Sequence, residues 1–325
     1  MFHHEELFDR KAGWLMRINA VFEGGGVKGI AFVGAIAVTQ QRGFVFHRVA
    51  GTSSGSIVAS FLAAGYGHEE MKELILETPF HQFLQKSLLH HIPYIGPIIR
   101  LLFKKGMYSG DPLEAWIRQK LLAKGVRTFS DLPPNSLYII ASDISNGKMI
   151  VLPDDLKDYG IHPDYFEVAR AVRMSISIPY FFDPVIMKRN YVVDGGILSN
   201  FPMWIFDNEM IKNGGEKLIP TIGYQLVGKN PHAKNEINGP LSMLQALFAT
   251  MMGAHDERYI DKKYRYRTVK IDASSVGTLH FDITREQSLG LYESGVRAAE
   301  EFFNKWSYAE YLSKFHDFNK KFLGR

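Results

Sequence analysis

The feature that most constrains the fold is a five-residue turn, Gly-Thr-Ser-Ser-Gly at residues 51–55, which separates two apolar runs. The run before it, residues 44–50, predicts a strand, and the run after it, residues 57–64, predicts a helix. A G-x-S-x-G sequence between a strand and a helix is typical of a sharp turn that lifts its central serine off the sheet. The first amides of the new helix are then free to bind a negative charge. Ser53 is therefore the candidate nucleophile.

Strands and helices alternate around this turn. Residues 18–22 predict a short buried strand that leads into a glycine-rich turn, and residues 30–38 predict the helix that follows. A β-α-β-α opening is typical of an α/β fold, with parallel strands and helices on both faces of the sheet. Later apolar patterns predict helices over 69–77, 111–124, 166–174, 241–252 and 286–306, and strands over 137–141, 149–152, 191–193, 217–226 and 268–272, the last of these at a sheet edge.

The length and hydrophobic content predict one large domain. A chain of 325 residues that is 46% hydrophobic can bury a sizeable core. We find no internal repeat and no low-complexity linker, so we expect a single domain over residues 1–325. Its motif-bearing core covers about residues 18–225, a cap segment covers about 80–107, and a C-terminal extension covers about 240–325. We expect the tail, residues 307–325, to pack loosely.

The cap segment, residues 80–107, differs from its surroundings because it is both apolar and basic. No acidic residue occurs between Glu77 and Asp111, and Pro93 and Pro97 prevent a single continuous helix. Two interpretations stay open. The segment is either a helical cap packed on the core, as most apolar runs are, or a surface that touches lipid.

The composition excludes several classes of protein. The chain has no cysteine, which excludes disulfides, thiolate metal sites and cysteine catalysis and suits a reducing compartment. A net charge of +4 is too small to indicate nucleic acid binding. The N-terminus lacks the pattern of a secretory signal, and no apolar run approaches the roughly 20 residues that span a bilayer. We expect a cytoplasmic protein that needs no metal or cofactor, since no ligand cluster has suitable spacing.

The first glycine-rich turn also fits a dinucleotide-binding fingerprint, with Gly24, Gly26 and Gly29 in a G-x-G-x-x-G pattern. That site requires an acidic residue about 20 positions later, but no Asp or Glu occurs from Gly24 to His68. A P-loop requires lysine after the last glycine, where this chain has Ile30. Nucleotide binding is therefore disfavoured. The turn is either a site of close packing or a set of amides that bind the negative oxygen of an attacked ester.

A serine nucleophile needs a base, and two routes are open. A Ser–Asp–His triad in chain order is formally satisfied by Ser53, Asp194 and either His255 or His280. However, only about one βα unit precedes Ser53, and both histidines have the setting of structural residues. The other route is a carboxylate in direct contact with the serine. Asp194 leaves a buried strand and precedes two glycines, and partial burial raises the pKa of such a carboxyl group. Asp143 competes, but its sequence context is typical of a turn.

Three motifs in this order resemble those of the patatin-like phospholipases. They are Gly-Gly-Gly-Val-Lys-Gly at residues 24–29, Gly-Thr-Ser-Ser-Gly at residues 51–55, and Asp-Gly-Gly at residues 194–196. Residues 169–185, a small-residue helix followed by a proline and an aromatic run, are similar to a further segment of that family. The resemblance covers about residues 19–202 and does not extend to the C-terminal third.

The resemblance implies a three-layer α/β/α sandwich with a mostly parallel central sheet, and hydrolysis of lipid acyl esters by a Ser–Asp dyad. Carried over, Ser53 is the nucleophile, Asp194 is the base, and the amides of Gly24, Gly25 and Gly26 form the oxyanion hole. The other motif glycines, which support the turns, are Gly29, Gly51, Gly55, Gly195 and Gly196.

The expected partners are a phospholipid or related lipid as substrate and, transiently, a membrane surface, but not nucleic acid. Ser54 stands where the family often has alanine. Three alternatives remain for the function: a soluble carboxylesterase, an acyltransferase, and a non-catalytic lipid-binding or regulatory module on the same fold. The presence of both the serine and the aspartate argues against the last of these.

Overall fold

A computed structural model gives the fold of most of the chain. It describes residues 8–9, 15–84, 95–207, 219–228, 237–239, 242–243, 246–247, 250–251 and 264–323. The prediction of a helix over residues 241–252 lies largely outside these residues, and so does His255.

Within the described residues, nine strands form the central sheet and two more form a small separate sheet. In chain order the strands are β1 (Phe8–Asp9), β2 (Leu15–Phe22), β3 (Phe44–Thr52), β4 (Gly106–Tyr108), β5 (Leu137–Asp143), β6 (Lys148–Leu152), β7 (Tyr180–Phe182), β8 (Val185–Met187), β9 (Asn190–Asp194), β10 (Thr221–Val227) and β11 (Thr268–Asp272). The central order is β11-β10-β2-β3-β5-β9-β8, with β1 on β2 and β6 on β5, while β4 pairs with β7.

The helices connect these strands. The α-helices are α1 (Ile30–Gln41), α2 (Ser54–Ala63), α3 (His68–Glu77), α4 (Ile95–Lys104), α5 (Asp111–Ala123), α6 (Val168–Ser175), α7 (Arg285–Lys305) and α8 (Tyr308–Leu323). Short 3₁₀ helices cover Gly26–Gly29, Phe80–Phe83, Phe129–Asp131, Asp154–Tyr159, Pro163–Tyr165, Gly195–Ile197 and Arg265–Arg267.

The sheet is mostly parallel, which confirms the predicted fold class. Strands β11, β10, β2, β3 and β5 run parallel to one another. Strand β9 pairs antiparallel with β5, β8 antiparallel with β9, and β6 antiparallel with β5. Every residue of β5 is buried, as expected of a central strand covered on both faces. Its alternate side chains enter two different apolar clusters: Ile139 belongs to one, and Tyr138 and Ile140 to the other.

Helices α1 and α7 pack with their backbones in contact. A Cβ atom added to Gly34 of α1 would lie 1.9 Å from the carbonyl oxygen of Tyr292, and one added to Gly295 of α7 would lie 1.9 Å from that of Ala31. Such distances leave room only for glycine. The two helices were predicted from the sequence, but their close approach was not.

The prediction that the C-terminal tail packs loosely is wrong, because the tail forms α8. Tyr311 and Phe315, one helical turn apart, are both buried. Beneath them the Arg267 guanidinium makes a bidentate ion pair with the Asp207 carboxylate, at 2.7 Å to each oxygen. The guanidinium also lies 5.7 Å from the centre of the Phe315 ring. A buried aromatic pair at helical spacing therefore fixes α8 on the protein.

The cap segment contains features of both interpretations of the sequence. Its residues 85–94 lie outside the described part of the chain. Phe83, in the 3₁₀ helix before that gap, is buried as a packed cap requires, whereas Leu102 and Phe103 of α4 are exposed. No helix in the described part of the chain combines the length and apolar character needed to cross a bilayer.

Candidate active site

Ser53 lies in the tight turn between β3 and α2. Its backbone has φ 52° and ψ −126°, a strained conformation for a residue with a side chain. A Cβ atom added to Gly51 would lie 2.3 Å from the Gly55 carbonyl carbon, and one added to Gly55 would lie 2.3 Å from the Phe22 carbonyl oxygen. Only glycine fits at either position, which explains the G-x-S-x-G pattern. Strained residues of this kind cluster at functional sites.

Two further serines hold the turn, and sequence reasoning did not find them. The Ser53 amide donates to Ser175 Oγ at 2.9 Å, and Ser175 Oγ donates to the Ile140 carbonyl at 2.6 Å. Ser56 Oγ donates to the Ser53 carbonyl, also at 2.6 Å. Because both backbone groups of Ser53 are bonded, its side chain is presented in a fixed direction. Serines are too common in turns for the sequence to indicate these roles.

Asp194 reaches the level of Ser53 through strand register. Thr52 pairs with Ile140 of β5, and Ala141, the next residue of β5, pairs with Asp194 of β9. Ser53 and Asp194 therefore lie at the same height on either side of β5. Because β9 runs antiparallel to β5, it is this register, and not a carboxyl edge shared with the parallel strands, that brings Asp194 to the site.

Asp194 is completely buried, and burial raises the pKa of its carboxyl group to about 7. The Ser53 hydroxyl and the Gly196 amide act in the opposite direction, since both favour the ionised form. The Gly196 amide donates to Oδ1 at 2.8 Å. Within the described residues, Oδ2 has no partner that meets standard hydrogen-bond geometry. Ser53 is thus close enough to affect the carboxylate without a fully formed bond, as is common for catalytic pairs without substrate.

The glycine turn lies directly beside the serine, because a Cβ atom added to Gly24 would be 3.1 Å from Ser53 Cβ. Its three amides differ in availability. The Gly24 amide donates to the Asn200 carbonyl at 3.1 Å, so it is already committed. The Gly25 amide donates to Ser54 Oγ at 3.1 Å. The Gly26 amide donates no hydrogen bond within the described residues. The candidate oxyanion hole is therefore narrowed from three amides to those of Gly25 and Gly26.

A buried carboxylate and an amide anchor this turn, and the sequence analysis missed both. Glu23 Oε2 accepts the Leu226 amide at 2.6 Å, which ties the end of β2 to β10. The Asn200 side chain donates to Glu23 Oε1 and to the Gly24 carbonyl, each at 3.3 Å. Burial lowers the pKa of Lys28, while the Glu23 and Asp272 carboxylates favour its charged form. Lys28, in the 3₁₀ helix that follows the turn, thus interacts electrostatically with both carboxylates.

The competing bases do not meet Ser53 in the described residues. His280 lies exposed in the loop between β11 and α7, and its amide donates to the Gly277 carbonyl. Asp143 accepts hydrogen bonds from Ser145, Asn146 and Tyr159. Burial opposes its ionisation, but these donors keep the pKa of Asp143 below its ordinary value. Its predicted role in a turn is confirmed.

A narrow apolar pocket opens on Ser53, with a cavity volume of about 90 Å³. Its lining includes Ser53, Ser54 and Gly26, and most of the rest comes from α1, α2, α3, α5 and the cap. The wall residues are almost all hydrophobic, for example Phe61, Met71, Leu74, Phe83, Trp116 and Phe182. Apolar pockets with a few polar groups at one end are typical of ligand sites. This one suits a hydrocarbon chain whose reactive end lies at the serine.

Known proteins resemble this chain in sequence and in fold. The protein YqhO of Bacillus subtilis, named as uncharacterised, is 44% identical over 298 residues, which cover 90% of this chain and all of YqhO. A protein of Invertebrate iridescent virus 6, 463L, named as a probable lipid hydrolase, is 26% identical over 56% of this chain and 61% of its own. VipD from Legionella pneumophila has the same fold, with a TM-score of 0.54 at 17% identity over 88% of this chain. The chain spans 66% of the VipD chain.

A model of the patatin-like phospholipase family matches residues 20–207, more than half of the chain. The match includes the glycine turn and the Ser53 turn, which both line the pocket, and the strand that ends at Asp194. By this match and its α/β architecture, the chain belongs to the patatin-like phospholipase family.

Proposed function

We propose that this protein hydrolyses the carboxylic ester bonds of phospholipids or related lipids through a Ser53–Asp194 dyad. The observation that carries the proposal is the apolar pocket lined in part by Ser53. When the first carbons of an acyl chain occupy that pocket, the ester carbonyl lies at the serine and the glycine amides. The head group then remains outside the pocket.

The reaction has two steps. Asp194 accepts the proton of Ser53 Oγ while Oγ bonds to the ester carbonyl carbon, and the carbonyl oxygen becomes an oxyanion. The amides of Gly25 and Gly26 donate to that oxyanion, a kind of stabilisation that contributes strongly to acyl transfer. When the oxyanion collapses, the ester C–O bond breaks and the leaving alcohol takes the proton from Asp194. Water then attacks the acyl-Ser53 ester, with Asp194 again as base, and releases the fatty acid.

The environment of Asp194 supports its role as base. A carboxylate with an ordinary pKa is a weak base, but a pKa of about 7 matches the pH of the cytoplasm. Because Oδ1 is held by the Gly196 amide, Oδ2 is the oxygen left to face the serine.

The test is hydrolysis of a phospholipid and of a short-chain ester by Ser53→Ala and Asp194→Asn. We expect each change to reduce kcat/KM by about 10³-fold or more. Ser275→Ala and Asp164→Asn, at exposed positions, are the matched controls and should keep full activity. Labelling by a fluorophosphonate should occur on the native protein and disappear in Ser53→Ala. Full hydrolysis by either dyad variant would refute the dyad.

Product analysis separates the proposal from its rivals. Release of free fatty acid from phospholipid supports a lipid acyl hydrolase. Activity on short-chain esters alone would indicate a soluble esterase, and transfer of the acyl group to an added alcohol an acyltransferase. A native protein that forms no adduct at Ser53 would instead be a non-catalytic module.

A further inference from the structure

The C-terminal end of α4 and the β8–β9 hairpin together form an exposed surface, which we call the helix–hairpin surface. Leu102 and Phe103 of α4 are 70% and 76% exposed, unusual values for large apolar side chains. The hairpin adds Ile186, which is 61% exposed. The apolar members of the surface are Leu102, Phe103, Ile144 and Ile186, and its basic members are Lys104, Lys105, Lys188 and Arg189.

Contacts join the two parts of this surface. The Lys105 ammonium lies 5.0 Å from the centre of the Tyr191 ring, so the end of α4 touches β9. Tyr191 pairs directly with Ile186 across the hairpin. The Ile144 amide donates to the Tyr191 carbonyl at 3.0 Å. The exposed apolar groups are therefore neighbours on one side of the molecule.

The orientation of α4 is fixed. On its inner face the buried Arg100 guanidinium pairs with both oxygens of Asp183, at 2.7 and 3.0 Å, and donates to the Gly106 carbonyl at 2.8 Å. Leu102 lies about 160° around the helix from Arg100, on the opposite face, and Phe103 lies about 60° from it, at the side of the helix. The buried ion pair thus holds α4 in an orientation in which Leu102 and Phe103 are 70% and 76% exposed.

The charge of the surface is positive. Lys104, Lys105, Lys188 and Arg189 are all exposed, and the chain has no acidic residue between Glu77 and Asp111. Two carboxylates close to residues of this surface along the chain are engaged elsewhere. Asp183 is paired with Arg100, and Asp143 is buried and bonded within its turn. Basic side chains around exposed apolar groups match the interface of a bilayer that contains anionic lipids.

The surface also lies on the side of the sheet where the candidate site lies. Because β9 is antiparallel to β5, the hairpin tip projects beyond Asp143, the carboxyl end of β5. Ser53 follows the carboxyl end of the neighbouring β3. Tyr191 and Asp194 are only three positions apart along β9, about 10 Å of strand.

We propose that the helix–hairpin surface docks the protein on anionic bilayers, with Leu102, Phe103 and Ile186 in contact with the acyl region and the basic residues near lipid phosphates. The proposal rests on the proposed function, because a lipid substrate must be taken from a bilayer. A bilayer bound there meets the edge of the sheet at which the pocket and Ser53 lie. The docking surface thereby determines which part of a lipid molecule reaches Ser53.

The test measures binding to vesicles in the Ser53→Ala background, where no lipid is consumed. Vesicles of phosphatidylcholine alone are compared with vesicles that contain one-fifth phosphatidylglycerol. We expect Leu102→Ser with Phe103→Ser to weaken binding to the anionic vesicles more than tenfold. Lys188→Glu with Arg189→Glu should weaken binding to the anionic vesicles at least fivefold for each basic residue replaced. We expect this loss only at low salt. Leu122→Ser with Tyr165→Ser, exposed apolar residues elsewhere, is the matched control and should bind normally.

A second measurement separates this proposal from the proposed function. In the catalytically intact protein, the same surface variants should hydrolyse a water-soluble butyrate ester at the native rate and vesicle lipid at a reduced rate. If the native protein binds vesicles and the surface variants do not, the docking proposal is upheld, even if the native protein cleaves no ester. Unchanged vesicle binding by the Leu102/Phe103 variant overturns docking. Sedimentation that shows a native dimer abolished by that variant, with vesicle binding intact, assigns the surface to a second copy of the chain instead.

Discussion

At the scale of single residues, the buried Asp194 carboxyl links the candidate chemistry to pH. The base must be ionised before it can accept the Ser53 proton, and burial raises its pKa to about 7. We therefore expect kcat/KM for a soluble ester to rise from pH 5 to pH 9 with a midpoint near 7. Initial rates across that range test this. A midpoint near 4 would mean that Asp194 is not the base or is not desolvated.

The same carboxyl group makes stability depend on pH. Its pKa is higher in the folded protein, about 7, than its ordinary value of 3.8, so the folded state binds the proton more tightly. The resulting stabilisation is present at low pH and is lost as the pH rises to about 7. The Asp194→Asn variant has no carboxyl group at this position, so it does not lose stability in this way as the pH rises. We expect the variant to be more stable than the native protein at pH 8, by on the order of a few kcal/mol.

Urea denaturation at pH 5 and pH 8 measures this difference. The gain of the Asp194→Asn variant should be larger at pH 8 than at pH 5, because only at pH 8 does the native protein hold a buried charge. Asp282→Asn, which changes an exposed aspartate, is the matched control. An equal effect of Asp194→Asn at both pH values would contradict a raised pKa.

Ser54 gives a second prediction at this scale. Its hydroxyl accepts the Gly25 amide, one of the two candidate oxyanion donors. An oxyanion must displace that hydroxyl, and a hydrogen bond of this kind is worth about 1 kcal/mol. We expect Ser54→Ala to raise kcat/KM by about two- to tenfold and to lower the free energy of unfolding by about 1 kcal/mol.

Steady-state kinetics on a short-chain ester measure the effect, with Ser60→Ala as the control. Ser60 lies on the same helix, but its hydroxyl bonds to the Ile57 carbonyl, away from the glycine turn. A large fall in kcat for Ser54→Ala would mean that this hydroxyl positions the turn, and that the Gly25 amide needs it for alignment.

At the scale of elements, two glycines of α7 have opposite roles. A Cβ atom at Gly295 would collide with α1, whereas one at Gly290 meets open space. We expect Gly295→Ala to lower the free energy of unfolding by about 1–3 kcal/mol through overpacking. Gly290→Ala, the matched control, should raise it by about 0.5–1 kcal/mol, because alanine favours a helix. Chemical denaturation of both variants measures these changes in the free energy of unfolding. Equal changes in the two variants would contradict the close contact between α1 and α7.

Most elements near the site were predictable, because glycine punctuation and apolar periodicity agree there. The turn at Ser53 and the helix after it follow from two glycines that no other residue can replace. The antiparallel direction of β9 was not predictable. The apolar pattern of a strand such as residues 191–193 does not indicate the direction in which the strand runs. That direction depends on its pairing with the distant β5. Helix α8 was missed because its buried residues, Tyr311 and Phe315, are few among polar ones.

The supporting contacts of the site lie beyond what sequence patterns reveal. Asn200 meets Glu23 and Gly24 across more than 170 positions, and Ser175 meets Ser53 across 122. Hydrogen bonds of such long range leave no periodic signal in a single sequence. The residues that carry the candidate chemistry were found because their turns require glycine. Those that hold them in place have no such requirement.

At the scale of the whole molecule, the Arg267–Asp207 pair fastens the C-terminal helix to the rest of the chain. Both side chains are almost fully buried. Removal of one partner from a buried pair leaves an uncompensated charge. We expect Asp207→Asn to lower the free energy of unfolding by on the order of 3 kcal/mol. Glu301→Gln, which breaks an exposed pair with Lys305, should change it by less than about 0.5 kcal/mol.

Thermal and urea unfolding of the two variants tests this prediction. A loss for Asp207→Asn as small as that of Glu301→Gln would mean that the helix is held by its aromatic residues alone.

The position of β2 has a consequence for the synthesis of the protein. This strand lies between β3, which follows it closely, and β10, whose Thr221 pairs with Asn19 about 200 positions earlier. Contacts of such separation form slowly, and a growing chain cannot form them until β10 has left the ribosome. Until then β2 has an open edge, Glu23 lacks the Leu226 amide, and the glycine turn is not fixed. The nascent chain thus carries Ser53 long before it can assemble the candidate site, which forms only after β10 has been synthesised.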